Sequence, residues 1–112
     1  MTVAEDAAHL RELTRVDWVV SRSWNRLHYV ELTDEQCVEL EDEGLLTGPV
    51  RLACGRTAAS ISIPGLFTRM GGTRCVRCCR VTGLPTGIGS PKNSPECRAL
   101  LGLPVATPRP PA

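Results

Sequence analysis

At 112 residues the chain is one domain's worth of sequence, and a domain of this size buries only about two-thirds of the surface that its unfolded form exposes. Its apolar content is mostly Val, Leu, Ile and Ala, with Trp18, Trp24, Tyr29 and Phe67 as the aromatics, so the core is thin and a staple would strengthen it. The net charge of +1 divides sharply into −7 over residues 1–50 and +8 over residues 51–112. The opening stretch MTVAEDAAHLREL has no basic leader and no long apolar run, which argues against a signal peptide or a membrane span and leads us to expect a cytoplasmic protein.

In chain order, Thr2 with Glu5 is a capping-box signature, and Val3, Ala7, Leu10 and Thr14 follow at helical spacing, which predicts a helix over 3–14. Val16–Val20 and Arg26–Leu32 are rich in β-branched and aromatic residues and predict two strands around a Ser-Arg-Ser-Trp-Asn turn. Thr33 with Gln36 repeats the capping signature ahead of a short helix that ends at Gly44, although the same residues also fit an alternating strand. Pro49–Ala53 and Ala58–Ile63 predict strands on either side of a tight Cys54-Gly55-Arg56 turn. Ile63-Pro64-Gly65 opens a helical turn that Gly71-Gly72 closes, and the glycines and prolines between residues 83 and 91 predict a loop. Ser94-Pro95 starts a last helix over 95–101. The proline-rich segment 104–112 is expected to be extended or disordered.

Six cysteines in a chain expected in a reducing compartment point to metal ligands before disulfides. Cys75-Val76-Arg77-Cys78 has the C-x2-C spacing that lets two thiolates on a tight turn reach one ion. Cys54, followed by a glycine that lets the backbone fold beneath an ion, is the third ligand expected. His28, on a strand able to lie beside Cys54, is the favoured fourth, because a neutral imidazole adds less charge than another thiolate. Cys97, at the start of the last helix, is the alternative fourth ligand. Cys37 is expected in the core, and Cys79 either packs or replaces Cys78. Structural Zn2+ is the favoured occupant, with disulfides and an iron–sulfur cluster as the competing uses of these thiols.

The order His28, Cys54-Gly55-Arg56, Cys75-x-x-Cys78 resembles a group of small, mostly uncharacterised zinc-finger-like proteins of actinobacteria and their phages, over residues 24–100. That resemblance implies a bound zinc and a phage origin, and no activity.

An enzyme is not expected. A zinc deaminase needs H-x-E and P-C-x-x-C, whereas His28-Tyr29-Val30 lacks the glutamate and Arg74 stands in the proline's place. Arg56, Arg74, Arg77, Arg80, Lys92 and Arg98 surround the thiols in sequence and are the candidate nucleic-acid-binding residues, since a knuckle would hold them as a rigid positive face. The Gly87–Asn93 loop offers backbone N–H groups as a further phosphate contact, against the plainer reading of a linker.

The expected fold is therefore α+β: one small zinc-stapled domain over 1–103, with short antiparallel strands, two to four short helices, an acidic half (1–50) and a basic, cysteine-rich half (51–103). The expected function is non-enzymatic binding of nucleic acid. The alternative is a phage-encoded effector that occupies or inhibits a host protein, with no membrane partner in either case.

Overall fold

The computed structural model describes residues 3–21 and 26–105. Helix α1 (Val3–Asp17) runs a turn beyond the predicted end and takes Val16 and Asp17 from the expected strand. It stops at Trp18, whose φ of 64° makes it the one non-glycine in the left-handed region among the described residues. That conformation swings the chain into strand β1 (Val19–Ser21). Strand β2 (Arg26–His28) is shorter than predicted, because from Tyr29 onward the backbone leaves the ladder and the Tyr29 carbonyl accepts from Ala53 N–H at 2.9 Å.

Helix α2 (Asp34–Glu43) has the predicted capping box: Thr33 Oγ1 accepts from Gln36 N–H at 3.2 Å and Gln36 Oε1 accepts from Thr33 N–H at 2.9 Å. Gly44, at φ 67°, ends it by donating to the Leu40 carbonyl. Thr33→Ala removes one half of this exchange and is expected to cost about 1 kcal/mol, read as a fall in the urea midpoint with unchanged slope.

Strands β3 (Leu45–Arg51) and β4 (Thr57–Ser62) form a hairpin whose register slips between Thr47 and Val50, where Gly48 at φ 102° and Pro49 make a bulge. β3 lies at the sheet edge, where a proline costs no ladder bond. Then follow α3 (Leu66–Gly71), the two-residue β5 (Thr73–Arg74), α4 (Val76–Thr82), a 3-10 turn at Pro91–Asn93 and α5 (Pro95–Leu100). α4 is absent from the sequence-based expectation, because Val76, Val81 and Thr82 are β-branched and weak helix formers. α5 is capped as expected, with Ser94 Oγ accepting from Cys97 N–H.

The sheet order is β3-β4-β1-β2-β5, antiparallel except for the parallel β2–β5 pair. Successive residues of a strand face opposite sides, and Val19 and Val20 belong to different apolar clusters. One core packs Ala7 of α1 and Cys37 and Leu40 of α2 against Leu46, Val50 and Ile61 of the hairpin. The other gathers Trp18, Leu27, Cys75, Cys78, Cys79, Leu84 and Cys97. Asp17, nearly buried, ties the acidic half to the basic one: it accepts from Ser90 Oγ at 2.9 Å and pairs with Lys92 at 3.2 Å. Most of the proline-rich tail, from residue 106, and the turn at 22–25 lie outside the described residues, as does Thr2. Among the described residues no helix is long and apolar enough to cross a membrane.

Candidate metal centre

Four backbone hydrogen bonds bring the site together. Ala53 N–H donates to the Tyr29 carbonyl, which sets the Cys54 turn against the end of β2. Gly55, at φ 94°, lets that turn close, its N–H donating to the Leu52 carbonyl at 2.9 Å while Leu52 N–H donates to the Arg56 carbonyl. On the other side, parallel pairing sets Leu27 beside Arg74, and Cys75 N–H donates to the Leu27 carbonyl at 2.9 Å. One residue further along each strand, His28 and Cys75 are therefore neighbours, and Cys78 follows one helical turn later on α4.

His28, Cys54, Cys75 and Cys78 each offer a ligand atom, and the four atoms lie within 4.8 Å of one another. His28 Nδ1 stands 3.7 Å from Cys78 Sγ and 3.9 Å from Cys54 Sγ. Tetrahedral ligation at zinc bond lengths would hold such atoms about 3.6 to 3.8 Å apart. The two His28 distances are close to that range, and a contraction of the remaining ones by at most about 1 Å would close the group on an ion. Three of the four residues are buried, and Cys54 is half-buried at the rim.

The protonation preferences of His28 and Cys75 suit them as ligands. Burial, then the charges of Arg26 and Arg56, hold His28 below the ordinary imidazole value, which keeps a ring lone pair free of a proton. Burial raises the Cys75 thiol, but the N–H groups of Cys78 and Arg77 and the Cys78 and Cys54 thiols outweigh it and bring Cys75 below the ordinary thiol value. Cys78 is pushed up to about 12 by burial and by the neighbouring Cys75 and Cys54, against the Tyr29 N–H that faces its sulfur. Of these two thiols Cys75 is the readier to ionise. A divalent ion would supply the charge that ionises the rest.

The remaining cysteines turn elsewhere. Cys97, the alternative fourth ligand, is fully buried and accepts from an Nη1 N–H of Arg74, outside the four-residue cluster. Cys79 Sγ faces the Pro85 carbonyl at 3.6 Å, and burial raises its thiol. Cys37 sits in the helix-side core.

Arg56, Arg74, Arg77 and Arg80 line one cavity of 310 Å³ beside the ligand cluster, with His28, Cys54 and Cys75 in the same wall. Lys92 and Arg98 lie apart from it: Lys92 is paired with Asp17, and Arg98 donates to the carbonyls of Pro104 and Lys92. The loop before α5 does not present its N–H groups outward as its glycines would allow. Gly89 and Ser90 donate inward to the Gly72 and Arg69 carbonyls, each at 2.7 Å. The cavity also includes Arg26, which is not among the residues expected from sequence. Its signal is present, since Arg26 and His28 are two apart on one strand and share a face.

No protein-family model, curated protein or solved structure matches the chain. Fold and site together define its class: a small α+β protein in which one histidine and three cysteines from three separate segments lie close enough to hold a metal ion.

Proposed function

We propose that the chain is a zinc-stapled, non-enzymatic module that binds nucleic acid through an arginine face. A soft thiolate set with one imidazole in near-tetrahedral spacing is the donor set that suits Zn2+, and four protein ligands leave no open position for a reacting group. His28, Cys54, Cys75 and Cys78 would hold the ion, whose role is to fasten β2, the hairpin turn and α4 together. The observation that carries the binding reading is the cavity beside the cluster, lined by arginines and, among the described residues, by no carboxylate. Guanidinium groups match phosphate oxygens in pairs, and fixing them on a staple lowers the entropy lost on binding.

The Arg77→Ala/Arg80→Ala double variant is expected to weaken binding to mixed-sequence DNA uniformly and to lower the salt slope by about 2, one for each arginine–phosphate pair removed. Fluorescence anisotropy across a salt series measures both. Unchanged affinity with unchanged metal content would remove the proposal.

A second reading rests on α3, where Phe67 is 92% exposed and Leu66 and Met70 are each 69% exposed. An apolar helix face of this kind suits a protein partner, and a phage origin, as the motif resemblance implies, suits an effector acting on a host protein. A discrete partner captured from nuclease-treated lysate, and lost with Phe67→Ser, would favour it.

A further inference from the structure

We infer that the arginine-lined cavity receives a phosphate monoester, the terminal phosphate of a nucleic-acid strand or of a nucleotide, rather than the internal phosphodiester backbone. The inference deepens the nucleic-acid reading and rests on it for the larger ligand. Five arginines, Arg26, Arg56, Arg74, Arg77 and Arg80, line 310 Å³, although the Arg74 guanidinium itself turns to Cys97 Sγ and Gly87, which lie outside the cavity. Three thiolates and a neutral imidazole around a dication would carry one net negative charge, which offsets one of the exposed guanidiniums of Arg26, Arg77 and Arg80 and leaves two of their positive charges at the cavity. An internal phosphodiester brings a single negative charge to any one point of the strand, whereas a phosphate monoester carries about −1.5 to −2.

Burial divides these arginines. Arg74 is only 5% exposed, and its Nε has no hydrogen-bond partner among the described residues. Its Nη1 N–H is held by Cys97 Sγ, which anchors β5, the strand whose Thr73 lines the cavity. Gly87 permits this burial, because a Cβ there would collide with the Arg74 guanidinium. Arg26, Arg77 and Arg80 are exposed and have no carboxylate partner among the described residues, so their donors remain available.

The test uses the full-length chain purified from zinc-containing medium and three fluorescent probes: a single-stranded oligonucleotide with a 5′-phosphate, the same strand with a 5′-hydroxyl, and labelled adenosine monophosphate. The 5′-phosphorylated strand should bind about tenfold or more tightly than the hydroxyl strand, the effect of losing one charge-assisted hydrogen bond or more. Arg26→Ala and Arg77→Ala, each checked for unchanged metal content and circular dichroism, should erase that preference. Arg15→Ala, an exposed arginine on α1 outside the cavity, should keep it. Equal binding of both strands to the wild type would overturn the inference and leave the nucleic-acid reading standing. If neither strand binds, the nucleic-acid reading falls. In that case, adenosine monophosphate binding that Arg26→Ala abolishes would assign the cavity to a free nucleotide, and no binding would overturn the inference as well.

Discussion

Chelation of the metal is expected to unfold the chain. Binding at a structural zinc site contributes roughly 10–16 kcal/mol, as much as or more than the about 5–15 kcal/mol by which whole domains are stable. The four ligand residues come from a strand, a hairpin turn, a helix N-cap and the first turn of that helix, so releasing the ion frees all of these segments at once. It also leaves Cys75, Cys78 and His28 buried around an empty centre. Elemental mass spectrometry should find one zinc per wild-type chain, and a strong chelator should collapse the near-ultraviolet circular dichroism and the thermal transition. Cys75→Ser, Cys78→Ser and His28→Ala should each lose the metal and the cooperative transition. Cys97→Ser should keep both, since Cys97 serves Arg74 and not the cluster. A wild type free of metal would remove the staple, and the opposite pattern for His28 and Cys97 would exchange the fourth ligand.

Trp18→Ala is expected to cost about 3–5 kcal/mol, the range for deleting a buried ring. Trp18 is 1% exposed, sits 6.3 Å from the Tyr29 ring between centroids, and shares its apolar cluster with Cys75, Cys78 and Leu84. Its backbone adds a second effect that can be separated from the first. At φ 64° an L-residue carries about 1–2 kcal/mol of steric cost that glycine escapes. Trp18→Gly should therefore be more stable than Trp18→Ala by about 1 kcal/mol, the reverse of the usual order in a helix or strand. Urea unfolding of the metal-loaded chain resolves the two. An alanine variant as stable as the glycine variant would mean that the left-handed turn is not retained. Both variants should also yield zinc sooner to a chelating dye, because the cluster supports the back of α4.

Locally encoded features are legible in the chain. The Thr33–Gln36 capping box, the Gly44 stop and the Ser94 cap form from residues within a few positions of one another, so the sequence states them directly. The tight Cys54-Gly55-Arg56 turn and the C-x2-C knuckle are legible for the same reason. α1 runs a turn further than its periodicity indicates, because buried Val16 and Asp17 gain partners across the molecule, Asp17 from Ser90 and Lys92. α4 is hidden in the sequence because its stability comes from packing Cys78 and Cys79 inward rather than from helix propensity.

By itself the sequence determined the chemistry on offer: six thiols, an imidazole on a strand, a basic half in which arginine supplies nearly every cation, and the glycines that let turns close. Which sulfur meets which partner was decided only in three dimensions. The parallel register of β2 with β5 sets Cys75 beside His28, and the Tyr29–Ala53 bond brings Cys54 to the same point. Cys97 could have completed the site on spacing alone, yet the fold turns it toward Arg74. The same register places Arg26 in the cavity with arginines some fifty residues further along the chain. Ligand spacing is a short-range property, whereas the choice of the fourth ligand and the convergence of the arginines depend on strand pairing between distant segments, which no local pattern specifies.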